Sequence, residues 1–203
     1  GRVHAKIVTL NALKLLIMLK SKIKPTIMQE HDGSFIDAQV AVLISAWLHD
    51  VGCSITRKNH EIIGVFKAQS FIKELLNKVY DDEQKITALT TYIEEGILCH
   101  LGTHSATSVE ASVVSVADGT DITKGRARLS YLLKPDIHDY STKSIESVEL
   151  TKKKGVTINI KMKNPAGIFQ VEQTLIKKLK RTILQDHVHI TVEIKGSKEK
   201  IKY

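Results

Sequence analysis

Apolar positions recur at helical spacing through the first two thirds of the chain and at alternate positions near its end. From Arg2 to Lys22, Val3, Ile7, Leu10, Leu13, Ile17 and Met18 or Leu19 follow the helical period, and Pro25 stops that helix or lies just beyond it. Ser34 or Asp37 can cap a second helix through Leu48, with Ile36, Val40, Leu43, Ile44 and Trp47 on one face. A third helix is predicted over 57–78, with Ile63, Phe66, Ser70, Ile72 and Leu76 as its core stripe. Asp81-Asp82-Glu83 can cap a fourth, Gln84 to Leu98, and the polar stretch Gly102 to Ser108 leads into a fifth, Glu110 to about Ile122.

After Ser141 the period changes to two. Val156, Ile158, Ile160 and Met162 alternate with Thr157, Asn159, Lys161 and Lys163, the pattern of a strand with one buried face. Ile145, Val148 and Leu150 suggest a partner strand, joined through a turn at Lys154-Gly155. Asn164-Pro165-Ala166-Gly167 breaks the chain before a helical stripe of Ile168, Val171, Leu175, Leu179 and Ile183, and Val188, Ile190, Val192 and Ile194 give a third strand. The expected fold is mainly α: a helical bundle followed by a small C-terminal α+β module in the order β-β-α-β.

Charge sharpens that division. Residues 1–141 carry 16 Lys and Arg against 16 Asp and Glu, whereas 142–203 carry 14 against 6, so the net +8 lies in the last 62 residues. Two domains are therefore expected, 1–141 and 142–203. Two cysteines, Cys53 and Cys99, with no CxxC, argue against a disulfide framework and a zinc ribbon. The longest apolar run, Ile7 to Leu19, is interrupted by Asn11 and Lys14 and lacks a cleavage site, so a cytoplasmic protein without membrane association is expected.

The chemistry centres on Ala46-Trp47-Leu48-His49-Asp50-Val51-Gly52, where an imidazole and a carboxylate close an apolar helix. An unpaired charge there would be costly, and a metal would supply the partner. The second His-Asp pair, His31-Asp32, lies in a polar stretch before Gly33 and reads as a turn. His4, His60, His100, His104 and Asp118 fall near the ends of other helices, where side chains from successive elements can converge. A site with several imidazoles and carboxylates suits Mn, Fe, Co, Ni or Zn, one or two per chain, rather than Ca or Mg. An Asp bridging two such cations would place between them a water acidic enough to attack phosphorus near neutral pH.

The order His4, His49-Asp50, Asp118 resembles the HD superfamily of metal-dependent phosphohydrolases, and Ala117-Asp118 matches its usual last ligand. His60 and His100 look like the two additional ligands of the binuclear subgroup. More narrowly, Ala117-Asp118-Gly119-Thr120-Asp121, then Lys124-Gly125-Arg126-Ala127-Arg128, with a late Ala166-Gly167-Ile168-Phe169-Gln170-Val171, is similar to a group of predicted HD hydrolases with a small C-terminal domain and no established substrate. The resemblance implies an HD-domain helical bundle. In it His4, His49, Asp50 and Asp118 hold one metal, while Asp50 bridges to a second held by His60 and His100. Many relatives have Gly-Lys or Gly-His after the pair, where this chain has Gly52-Cys53-Ser54, and no Gly-Tyr-Pro follows His100 as in cyclic-dinucleotide phosphodiesterases with that signature.

The implied activity is hydrolysis of a phosphate mono- or diester, of a nucleotide or related small molecule, with Asp50 at the reacting centre. His100 is the favoured ligand over His104, because it ends the apolar run Ile97-Leu98-Cys99; His104 is then a substrate-side residue or general acid. Lys124, Arg126 and Arg128, with Arg57 and Lys58 in the loop after the pair, are the candidate phosphate-binding cations. The alternative is an HD-derived binding module with little turnover, its basic tail recognising nucleic acid or a protein, although Phe169 and Tyr203 alone make no stacking platform. A homodimer paired edge to edge through Val156–Lys163 is a third expectation.

Overall fold

The computed structural model describes residues 1–123, 137–152, 155–197 and 199–203. Its helical body comprises α1 (Arg2–Leu19), α2 (Thr26–Glu30), α3 (Phe35–Leu48), α4 (His60–Leu76), α5 (Glu83–Cys99), α6 (Val109–Thr120) and α7 (Ile137–Ser144). A short 3-10 turn, Val51–Ser54, joins α3 towards α4. The C-terminal part contains β1 (Ile145–Lys152), β2 (Val156–Met162), a helix α8 over 167–179, β3 (Val188–Ile194) and β4 (Lys200–Lys202).

Local chemistry sets the helix starts. The Ser34 hydroxyl accepts from the Asp37 amide while Asp37 Oδ2 accepts from the Ser34 amide at 2.7 Å, a reciprocal cap that fixes where α3 begins. Asp82 accepts from the amides of Gln84 and Lys85 at α5, and Ser108 accepts from the Ala111 amide at α6. Asn59 starts α4 in the left-handed region, φ 55°, where asparagine is among the tolerated residues.

Burial corrects the expected core stripes. In α1 the inward face is His4, Val8, Ala12, Leu15 and Leu19, whereas Val3, Leu10 and Ile17 stand in solvent. In α3 Ala38, Ala41, Val42, Ser45 and Ala46 are buried, while Ile36, Leu43 and Trp47 are exposed; in α4 Phe66 is exposed and Gly64, Ala68, Ile72 and Leu76 face inward. The cause is close helix packing. A Cβ on Gly96 of α5 would come within 2.7 Å of Ser45 Cβ on α3, so the seams between these helices accept only small residues. The apolar stretch Phe35–Ser54 is long enough to cross a bilayer by length and composition, but half of it is buried within the protein.

The sheet has the order β1-β2-β3-β4. β1 and β2 pair antiparallel, with Val148 opposite Ile160; β2 and β3 pair parallel, with Ile160 opposite Val192; β3 and β4 pair antiparallel. The fourth strand adds to the expected β-β-α-β order. β2 is paired on both sides, so Val156–Lys163 is not an edge, and edge-to-edge association through it is excluded by its own neighbours. Ile145, Ile158, Ile160, Val188, Ile190 and Val192 pack into the same buried apolar cluster as Val8, Leu16, Ile93 and Val116 of the helical body.

Candidate metal centre

Three helix ends and two helix starts meet at one point. His4 lies in the first turn of α1, His49 and Asp50 follow α3, His60 begins α4, His100 follows α5, and Asp118 sits in the last turn of α6. The ends are held in register by contacts that bear no chemistry themselves. Asn11 donates to Thr120 Oγ1 at 2.8 Å, tying α1 to the end of α6.

The six side chains sort into two pairs of imidazoles, one of them flanked by Asp118, joined by the Asp50 carboxylate. His4 Nε2 lies 3.0 Å from His49 Nε2 and 3.0 Å from Asp118 Oδ1. Asp50 Oδ2 is 3.7 Å from each of those two imidazole nitrogens. Its other oxygen, Oδ1, is 3.2 Å from His60 Nε2 and 3.7 Å from His100 Nε2, which are themselves 3.2 Å apart. Asp50 thus spans both groups with one oxygen to each.

The outer ring nitrogens decide what the inner ones can be. His49 Nδ1 donates to the Ala46 carbonyl at 2.7 Å, His60 Nδ1 to that of Arg57 at 3.0 Å and His100 Nδ1 to that of Ile97 at 2.7 Å. His4 Nδ1 donates to Asp121 Oδ2 at 2.6 Å. With Nδ1 protonated, each neutral ring presents an Nε2 lone pair inward. Lone pairs facing each other at 3.0 and 3.2 Å, among carboxylate oxygens, call for a cation between them. The donor set fits divalent transition metals.

Burial reinforces this protonation state. It drives the His49 imidazole below its usual pKa and takes His100 down to about 3, so both stay neutral against the pull of Asp118. Burial opposes ionisation of Asp118, but the Lys178 ammonium beside it holds that carboxyl well below its ordinary range.

The cluster opens to solvent on one side. The Asp50 side chain is 30% exposed, against 0% for His49, 1% for His100 and 3% for Asp118. Cys53 stands at that rim, its thiol donating to Asp50 Oδ1 at 3.7 Å; burial, then the Asp50 charge, push its pKa up. Asp50, Cys53 and His60 form a third group of potential ligand atoms, besides His4, His49 and Asp118, and His49, Asp50 and His100.

The other residues singled out in the sequence fare differently. Arg57 contributes its carbonyl to His60 and keeps its side chain exposed near Cys53; Lys58 is exposed on the same turn. His104 is exposed and, with His31, lines a separate groove of about 1140 Å³ whose described walls include none of the six cluster residues. Lys124, Arg126 and Arg128 lie outside the described residues. Two residues that the sequence did not single out as functional join the centre. Asp121 is one, and its position three residues after Asp118 could have flagged it. Lys178 is the other: its ammonium pairs with Asp118 Oδ2, and nothing distinguished it from its lysine neighbours.

Over 202 residues, 98% of this chain and 78% of the other, the sequence is 37% identical to an uncharacterized protein, MJ1020, of Methanocaldococcus jannaschii. No family profile matches the chain, and no solved structure matches it.

Proposed function

The chain belongs to the family of that uncharacterized archaeal protein, and from the geometry of the His/Asp cluster we propose that it is an HD-type, metal-dependent phosphohydrolase. The observation that carries the reading is Asp50, whose two oxygens address two separate imidazole pairs. His4, His49, Asp50 and Asp118 would hold one cation, and Asp50, His60 and His100 a second. Bound there, divalent transition metals acidify a water and polarise a phosphoryl oxygen.

The chain's own residues then have distinct tasks. The Nδ1 hydrogen bonds to Ala46, Arg57, Ile97 and Asp121 fix each ring's tautomer and direction before any ligand arrives. Buried His49, His100 and Asp118 exclude water behind the site, so a phosphate ester approaches over the exposed edge of Asp50. Arg57, exposed near Cys53 on that edge, is a candidate to meet the phosphate of a nucleotide or similar small molecule.

The test is elemental analysis of the metal-loaded protein beside a screen of phosphate mono- and diesters. About two transition metals per chain are expected, falling to about one in His60→Ala and none in Asp50→Ala, with turnover lost in the latter. An Asp50→Ala protein that still holds both metals and cleaves phosphoesters would sink the proposal. A metal-loaded wild-type chain inert to all esters but binding polynucleotides with steep salt dependence would favour the binding-module alternative.

A further inference from the structure

Of the C-terminal basic side chains around it, Lys177, Lys180 and Arg181 are exposed, but Lys178 is buried, 6% accessible, and reaches out of its own module into the metal centre. Its ammonium pairs with Asp118 Oδ2, while Asp118 Oδ1 faces His4 Nε2 at 3.0 Å and His49 Nε2 at 3.8 Å. An isolated buried ammonium would be strongly unfavourable, so the pair with Asp118 is what permits the burial.

The path for this side chain is built by three features. Helix α8 changes winding ahead of it: Gly167–Gln170 is α-helical, Val171–Ile176 takes the wider π form, and Lys177–Leu179 returns to α. Such π segments are rare and cluster at functional sites, because they rotate the following residues relative to a regular helix. Two glycines then make room for the lysine stem. A Cβ on Gly102, which has φ +71°, would stand 3.3 Å from Lys178 Cγ; one on Gly119, the residue after Asp118, would stand 3.4 Å from Lys178 Cδ and 3.0 Å from Leu175 Cδ1. Finally, the chain beyond α8 is pinned to the helical body: the Ala106 amide donates to the Arg181 carbonyl at 2.9 Å, and the Ile183 amide to Ser112 Oγ at 3.4 Å.

We infer that Lys178 is a positioning residue of the metal centre, supplied by the C-terminal module. By occupying Asp118 Oδ2 it leaves Oδ1 as the oxygen offered to the cation beside His4 and His49, and so couples docking of α8 to metal binding. The inference rests on the metal-centre reading above. It gives the basic module a task at the site, one that neither its net charge nor its exposed lysines describe. Coupling of this kind is reciprocal: if docked α8 strengthens metal binding, bound metal must strengthen the docking of α8 by the same factor.

The experiment titrates the full chain with Mn2+ alone, by calorimetry, in the wild type, Lys178→Met and Lys178→Arg. Methionine keeps most of the stem volume in the slot and removes the charge. The expected result is a loss of roughly 10–100-fold in affinity for one of two Mn2+ ions in K178M, the usual cost of removing a partner that orients a ligand, with K178R largely restoring it. Hydrogen exchange at 171–179 in the wild-type chain is expected to slow when Mn2+ is added. A K178M protein that binds Mn2+ as the wild type does, or more tightly, overturns the inference, as does a lowered melting temperature with unchanged affinity. If K178M does not fold, the wild-type exchange decides: no change at 171–179 on Mn2+ binding overturns it. Wild-type chain that binds Mn2+ but hydrolyses no ester overturns the proposed activity and leaves this inference standing. Wild-type chain that binds no Mn2+ overturns both, before any variant is read.

Discussion

Gly52 and His60 meet backbone to backbone: a methyl group on Gly52 would strike the His60 carbonyl oxygen and lie 2.7 Å from the Gly64 amide nitrogen. The glycine after the His-Asp pair is therefore a spacing device. It lets the first turn of α4 close on the turn after α3, bringing His60 Nε2 within 3.2 Å of Asp50 Oδ1. Gly52→Ala is expected to cost about 1–3 kcal/mol through overpacking and to displace His60. Elemental analysis should show one metal per chain lost while the other stays. Retention of both metals at wild-type affinity would mean the backbone yields without moving His60.

Asp121 accepts from His4 Nδ1 at 2.6 Å and so holds the ring whose Nε2 faces Asp118. Asp121→Ala should weaken binding of one Mn2+ by roughly 10–100-fold, with Asp121→Asn, which keeps an acceptor oxygen, falling in between. Calorimetric titration measures this. Equal affinities in all three proteins would show that the ring needs no such partner.

Metal should also act on stability, because the binding groups come from five helices that the unfolded chain does not hold together. A ligand present at 100 times its Kd adds about 2.7 kcal/mol to a fold that alone binds it. Thermal unfolding in a chelator should therefore fall to lower temperature and recover with Mn2+. In His49→Ala the dependence should shrink or vanish. A melting temperature indifferent to chelation would contradict the centre as drawn.

Two buried carboxyls give opposite pH signatures. Burial opposes ionisation of Asp37, but the Ser34 amide, the Tyr80 hydroxyl and the Lys85 charge hold its pKa below the ordinary 3.8. Its contribution is present above that value and is lost as the pH falls towards the lowered folded pKa. Burial raises Glu110, whose two oxygens accept from the Thr26 and Ile27 amides, and outweighs those bonds; its contribution is present below the ordinary 4.5 and is lost as the pH rises through the folded value. Asp37→Ala should cost about 1–2 kcal/mol at neutral pH, from lost cap and hydroxyl bonds. Denaturant unfolding between pH 7 and 3 should show the mutant's deficit narrowing towards acid. A deficit independent of pH would mean the charge of Asp37 contributes nothing.

Several features of this protein are written in short stretches of its sequence. Apolar spacing and capping residues located α1, α3, α4, α5 and α6 to within a few residues, because a helix is decided by neighbours one turn apart. Alternation located β1, β2 and β3, while β4, three residues at the chain's end, is defined by its pairing with β3 and offers no pattern of its own. His49 and Asp50 were legible because an imidazole and a carboxylate closing an apolar helix are locally anomalous, whereas the set of six candidate ligands came from the resemblance to the HD order. The i−3 carbonyls that orient His49, His60 and His100 follow from the same local geometry.

Tertiary structure decided the rest. Periodicity reports that a helix has an apolar face but not which face finds a partner. Where helices approach as closely as Gly96 and Ser45 do, small residues win the interior, and Leu10, Leu43 and Phe66 are left outside. The same limit hid Lys178. Within its own helix it is one lysine beside another, and its meaning comes from a slot made by Gly102 and Gly119 and from Asp118, 60 residues earlier in the chain. Separation of His100 from His104 was also a tertiary outcome: four residues apart in sequence, one faces the converging helix ends and the other lines an outer groove. Burial and long-range charge pairing depend on which distant segments meet, and no local stretch of chain encodes that meeting alone.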